Sequence, residues 1–278
     1  LGFPTCQSSG RWECRLPGRV AFPAAVIACF LLLGCLACFP TEPVPASEDR
    51  LLVESVLNAG TNSQIVTVKR IGGELGTGDE PVSGAFVSIT APGALGMLAT
   101  ETQTAGTYHV DPSTYGAAIA PGGTYTLRVV TSDGRQVVGT TTVPVAQSPP
   151  FDASITPFSR STDTVRAAWP RATGAKSYYV AVSAVLSYAP GYIELRYSSF
   201  TDTTVSLHGR IEEFDGDPVF TPFDTVTVVA GAVDDNFYTY YHVTVDPFTG
   251  SPPSRLQGAI GVFGSFVPLY RRRFAVVE

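Results

Sequence analysis

Three histidines, His109, His208 and His242, and two acidic runs are the residues of this sequence best suited to chemistry. An imidazole can act as a general base or bind a metal, but either role needs a partner at a defined spacing. The sequence contains no H-E-x-x-H pair, no G-x-S-x-G elbow and no P-loop. The runs Glu212-Glu213-Phe214-Asp215-Gly216-Asp217 and Asp234-Asp235-Asn236 offer the oxygen ligands that Ca²⁺ takes. Neither fits the twelve-residue calcium loop, and Asp, Asn and Gly are ordinary turn residues. The runs are therefore read as turns and the histidines as structural or solvated. No catalytic residue is assigned, no metal or cofactor is expected, and the chain is read as a non-enzyme.

The cysteines carry a different chemistry. Cys6, Cys14, Cys29, Cys35 and Cys38 all lie in the first 38 positions. The remaining body can hold neither a disulfide framework nor a thiolate metal site. Cys35-x-x-Cys38 lacks the second Cys/His pair of a zinc site and the βαβ context of a redox pair. Residues 20–39, VAFPAAVIACFLLLGCLACF, form an unbroken apolar run preceded by Arg15 and Arg19. That is the charged-then-apolar pattern of a secretion signal. The length also suits a membrane span, but Pro23 shortens any regular helix and no basic cluster follows Phe39. Leu32-Leu33-Gly34-Cys35 resembles the bacterial lipobox, in which a cysteine after a small residue is acylated and becomes the new N-terminus. Cys35 is the expected lipid anchor and Cys38 the alternative. The alternatives to a lipoprotein are an uncleaved transmembrane anchor and a cleaved secreted protein. PTEPVPASED, residues 40–49, then reads as an extended, solvated tether.

Recognition surfaces are sparse. SYAPGYIELRYSSF carries Tyr188, Tyr192, Tyr197 and Phe200 around Pro190-Gly191, as a hairpin tip would. Tyrosines there offer a large contact area to protein or glycan at low entropic cost. Arg271-Arg272-Arg273 is read as part of an edge strand, where charge blocks edge-to-edge pairing. The sharper reading of that run is binding to anionic lipid or polysaccharide.

The elements that must position these residues are strands. Charged residues make up only 15% of the chain and hydrophobic ones 44%, which is enough for a core. Beyond residue 34 the chain carries 15 basic against 23 acidic residues, and Lys69 and Lys176 are its only lysines. Nucleic acid, which needs a basic footprint, is excluded as a partner. LLVESVL, QIVTVKR, SGAFVSIT, GTYHV, TYTLRVV and RQVVGTTTV read as short strands between turns. In TYTLRVV, Tyr125, Leu127 and Val129 share one face, as in a half-buried strand. Asp133-Gly134 marks a hairpin. No segment holds a sustained helical period, and PVAQSPP, residues 144–150, reads as a linker.

PVSGAFVSIT, GTYHV and GGTYTLRVVTSDGRQVVGTTTVP together resemble the small β-sandwiches of the carboxypeptidase regulatory type. That resemblance implies structure and no catalysis. Trp169 on an early strand and a Tyr-rich late strand within DTVTVVAGAVDDNFYTYY resemble a fibronectin type III sandwich, with Trp169 expected in the core. FYTYYHVTVDPFTGSPPSRLQGAIGVFGSFVPLY, with its Gly261-Val262-Phe263-Gly264 motif, joined to the lipobox and the first module, resembles a family of Gram-negative envelope lipoproteins of unknown function. The expected fold is all-β, with two consecutive β-sandwich domains after an N-terminal signal and lipobox segment. The expected division is leader and signal 1–34, lipidated tether 35–49, regulatory-like sandwich 50–144 and fibronectin-like sandwich 151–278. The expected role is a membrane-anchored, non-catalytic binding or scaffold module of the outer membrane, accessory to a receptor or uptake system. An adhesin-like structural protein is the alternative and an enzyme the second.

Overall fold

The computed structural model describes residues 50–71, 79–91, 93–94, 96–147, 149, 154–186, 191–212, 216–242 and 253–278. The expected signal, Cys35, Cys38 and the tether lie outside the described residues. The first half contributes β1 (Arg50–Asn58), β2 (Gln64–Ile71), β3 (Glu80–Pro81), β4 (Phe86–Thr90), β5 (Gly96–Leu98), β6 (Thr100–Glu101), β7 (Thr107–Val110), β8 (Thr124–Val130) and β9 (Gln136–Thr142). The second contributes β10 (Ile155–Ser159), β11 (Thr164–Ala168), β12 (Ser177–Val185), β13 (Ile193–Thr201), β14 (Thr204–His208), β15 (Thr225–Val233), the helix α1 (Asp235–His242) and β16 (Ile260–Val277). The fold is all-β, as its composition and alternation imply.

Period-two burial explains each half. In β8, Tyr125, Leu127 and Val129 are buried as the alternation requires. The same holds for Tyr178, Val180, Val182 and Ala184 of β12. In the first half, β5-β4-β8-β9 form one sheet, and β1, β2, β7 and β6 join the other. In the second half, β11 and β14 form a two-stranded sheet alongside β13-β12-β15-β16. Trp169 is buried with its ring 5.7 Å from that of Tyr178.

The two halves share a sheet. Strand order runs β13-β12-β15-β16-β1-β2-β7-β6 without a break, and Ala46–Glu278 holds together as one compact unit. The strand β16 makes this possible. From Ile260 to Phe266 it pairs parallel to β1, and from Phe266 to Ala275 antiparallel to β15. On the β1 side, β10 takes over from Arg273 to Val277. The two halves, expected to be separated at residues 144–150, thus share one sheet through β1 and β16.

The Gly-Val-Phe-Gly motif is where β16 is enclosed on both faces. Gly261 has φ +120°, and a Cβ there would sit 2.0 Å from the Val53 carbonyl oxygen of β1. Gly264 lies under α1, where an added Cβ would meet Phe237 at 3.0 Å. The Phe263 side chain packs against Gly139 of β9, which has no room for a Cβ of its own. Glycine at these positions lets strand, helix and second sheet approach closely.

Two expectations are corrected. The Tyr-rich late strand ends at Val233, and DNFYTYYH is a helix. A carboxylate at Asp234 caps it by accepting from the Phe237 amide at 3.1 Å. Aromatic rings one turn apart then stack along it, Phe237 on Tyr241 and Tyr238 on His242. The arginine run is not on an edge strand. Arg271, Arg272 and Arg273 pair with Val229, Val228 and Thr227 of β15, and β16 is interior to its sheet. On the opposite side, residues 267–272 of β16, between the reach of β1 and that of β10, have no strand partner among the described residues.

Candidate functional site

The outer face of β12 and β13 gathers several aromatic and apolar residues that the core does not use. On β12 this face carries Tyr179, Ser183 and Val185, and their partners on β13 are Phe200, Leu195 and Ile193. Strand β13 is the last in its sheet. Ile193 is 67% exposed, Leu195 59% and the preceding Tyr192 60%. At the other end α1 covers the sheet. Tyr179 and Phe200 pack on Phe237, and Phe200 also meets Tyr238 and His242. Lys176 lies 5.8 Å from the centre of the Tyr238 ring. The surface is therefore an aromatic cluster under a short helix that passes into an exposed aliphatic row along an open edge.

A bulge in β13 shapes this surface. Register shifts between Val182 and Ser183 of β12, so Arg196 falls opposite no partner. Its side chain turns inward and its guanidinium reaches Asp224 at 2.8 Å, with both groups buried. Glu194 at 3.0 Å and the Thr221 hydroxyl complete its partners. Such a buried pair fixes geometry more than it adds stability. Here it holds β13 to the turn at residues 221–224. Sequence reading missed it because Arg196 and Asp224 have no local spacing in common.

The helix is tied across the two halves. The Asp234 carboxylate accepts from the Thr141 hydroxyl at 2.6 Å and from the Ser265 amide at 2.9 Å, besides the Phe237 amide. Asn236 donates to the Thr140 carbonyl at 2.7 Å and the Phe263 carbonyl at 2.8 Å. Burial pushes the Asp234 carboxyl up from its ordinary range, against the pull of these donors. Arg255 and Lys176 flank Asp235. The run Asp234-Asp235-Asn236 is thus a helix cap pinned to β9 and β16. On the same helix, the Tyr240 hydroxyl donates to Glu54 of β1 at 3.1 Å, and burial together with the Glu54 charge raises that phenol well above its usual range.

The remaining sequence candidates are dispersed. His109 is on β7, paired with Ile65. His208 ends β14, exposed, and its Nδ1 accepts from the Arg210 amide at 3.2 Å. His242 ends α1 against Tyr238. Among the described residues, no three His, Cys, Asp or Glu side chains are grouped as a metal would need. Tyr197 packs toward the core. Tyr188, Pro190 and the residues Glu213, Phe214 and Asp215 lie outside the described residues, while Glu212 bridges to Pro218. Among the described residues, no helix is long and apolar enough to cross a membrane.

Comparison with known proteins adds a family and little else. No curated protein matches the chain. Among solved structures, the FN1–FN3 domains of chicken CNTN1 align at 10% identity over 83% of this chain and 68% of that chain, with a TM-score of 0.25. The family model described as "Domain of unknown function (DUF4249)" matches residues 39–268, which include both halves of the sheet, α1 and the Gly-Val-Phe-Gly motif. The chain belongs to the DUF4249 family.

Proposed function

We propose that the protein is a lipid-anchored envelope protein that acts as a non-catalytic binding or scaffold module, accessory to an outer-membrane receptor or uptake system. The observation that carries this reading is the exposed row Tyr192, Ile193 and Leu195 on the open edge of β13. A long edge strand with exposed apolar side chains invites pairing unless it is blunted or used. Here Arg196 and Asp224 hold it in place from beneath, so it is presented in one fixed geometry. Adding a strand from a partner would satisfy the free backbone groups and cover Ile193 and Leu195 together. The anchor in this reading is Cys35, with residues 40–49 as the spacer between bilayer and body.

The test is site-specific photocrosslinking from position 195 in intact envelopes. A crosslink to an outer-membrane receptor, lost when Ile193→Asp disrupts the row without unfolding the protein, supports the reading. A folded protein that crosslinks to no receptor from this position argues against it.

A further inference from the structure

We propose that a second site, a cavity of about 350 Å³ lined by Arg160, Ser161, Arg210, Glu212, Pro222 and Glu278, binds a small zwitterion such as a free amino acid or a dipeptide. This rests on reading the protein as a binding module and names a ligand class for it.

The charges of this cavity are unspent. Arg70, Arg135, Arg171, Arg196 and Arg255 each sit beside an Asp or Glu. Among the described residues, Arg160 and Arg210 have no carboxylate within ion-pair distance, as Arg128, Arg166, Arg272 and Arg273 also have none, but Arg160 and Arg210 share one cavity. The Arg160 Nε is buried and has no hydrogen-bond partner among the described residues. A buried donor without an acceptor is costly, and Arg160 also lines the cavity, where a ligand would meet the remaining donors of its guanidinium. Arg160 is also held in place. Its amide donates to the Val277 carbonyl at 2.9 Å, and Gly209 at the end of β14 packs so closely that a Cβ would lie 2.5 Å from the Arg160 carbonyl oxygen.

The opposing wall is built at the expense of backbone strain. The Asp224 amide closes a turn onto the Thr221 carbonyl at 3.3 Å, with Pro222 and Phe223 at its centre. Phe223 has φ +71°, in a position where such a turn prefers glycine or asparagine. It is also 78% exposed. Strain of this kind persists where surroundings over-determine it, often at ligand sites. The Phe223 amide bonds to the Val276 carbonyl at 2.8 Å, and the Arg196–Asp224 pair fixes the next residue.

The ligand class follows from the lining. A guanidinium takes a carboxylate in a bidentate fork, which suits Arg160 and Arg210. Glu212 and Glu278 line the same cavity and would repel a simple anion, as the arginines would repel a simple cation. A molecule carrying both charges meets both requirements. The volume lies at the small end of ligand pockets, which fits an amino acid or dipeptide.

The experiment is calorimetric titration of the purified full chain with L-alanyl-L-alanine, N-acetyl-L-alanine and L-alaninamide. The dipeptide is expected to bind saturably at about 1 mM or tighter. The two singly charged probes should each bind at least about tenfold more weakly, having lost one charge-assisted contact. Arg210→Ala, at an exposed position that leaves the fold intact, should weaken the dipeptide by a similar factor. Glu212→Gln should weaken the dipeptide and, by removing a repelling charge, tighten the binding of N-acetyl-L-alanine. Equal binding of all three probes, binding unaffected by Arg210→Ala, or no saturable heat from the dipeptide would overturn the proposal while leaving the anchored-module reading in place. Release of free alanine from the dipeptide would support the site and contradict the non-catalytic reading.

Discussion

The Thr141 hydroxyl donates a 2.6 Å hydrogen bond to the Asp234 carboxylate, joining a strand of the first half to the helix cap of the second. The bond spans 93 positions of sequence and is buried. With the Asn236 bonds to Thr140 and Phe263, it ties α1 to β9 and to β16.

Removing this carboxylate should be expensive. Asp234→Ala leaves the Thr141 hydroxyl and the Ser265 and Phe237 amides without their acceptor. A loss of about 2–4 kcal/mol is expected, from a buried set of hydrogen bonds and a helix cap together. Urea unfolding, compared with that of an exposed control such as Asp202→Ala, measures it.

The same residue sets a pH dependence with an unusual sign. Burial raises the folded Asp234 pKa above its unfolded value. Between those two values the folded state holds a proton that the unfolded state has released, so stability falls as pH rises through this window. Asp133 acts in the opposite direction. The Thr131 hydroxyl and Arg70 hold its carboxyl down to about 2, so its contribution is present above the unfolded value and lost as pH falls toward 2. Asp234→Asn should remove the first dependence and keep the second, which a series of unfolding curves from pH 2 to pH 7 would reveal.

Glycine at position 261 should be irreplaceable. Gly261→Ala places a methyl group on the Val53 carbonyl and forces a backbone conformation that alanine avoids. The parallel pairing of β1 with β16 should be lost, seen as fast exchange of those amides between Leu52 and Asn58 that point to β16, while those bonded to β2 stay protected. Gly264→Ala meets Phe237 at the looser distance of 3.0 Å and should be the milder change.

Phe223→Gly should stabilise the protein by about 1 kcal/mol, because glycine relieves the strained φ and the ring lost is mostly in water. A rise in melting temperature checks this. A fall would mean that the exposed ring makes an essential contact.

Much of the fold was legible in the sequence, and the reasons are local. TYTLRVV shows its buried face in its own alternation, and its observed strand is Thr124–Val130. The helix was not legible because tyrosine and phenylalanine favour strands. Its formation depends on the Asp234 cap and on a seat over Gly264, neither of which is evident in local periodicity. Strand β16 was opaque for another reason. A segment buried on both faces reads as a continuous apolar run, so the change of partner at Phe266 leaves no mark. The aromatic stretch at residues 187–200 pointed to part of the exposed surface. Its strongest members, Ile193 and Leu195, were passed over because only strand order shows that they lie on an open edge.

Cleavage between the halves offers a test of the shared sheet. A protease site inserted after Gln147 should be cut without separating the fragments, because β1 remains paired with β16 across the cut. Co-elution of the two fragments under native conditions is the expected result. Fragments that separate without denaturant would show that the halves are independent domains.

The anchored-module account stands most directly on the lipid. Metabolic labelling with a fatty acid, followed by intact-mass measurement of the mature protein, should find acyl chains on Cys35 and residues 1–34 removed. A single chain binds membranes only reversibly, so several are expected. Cys35→Ser should abolish both label and processing, and Cys38→Ser neither. A mature protein that keeps residues 1–34 and carries lipid on neither cysteine would contradict the account and make residues 20–39 a transmembrane anchor.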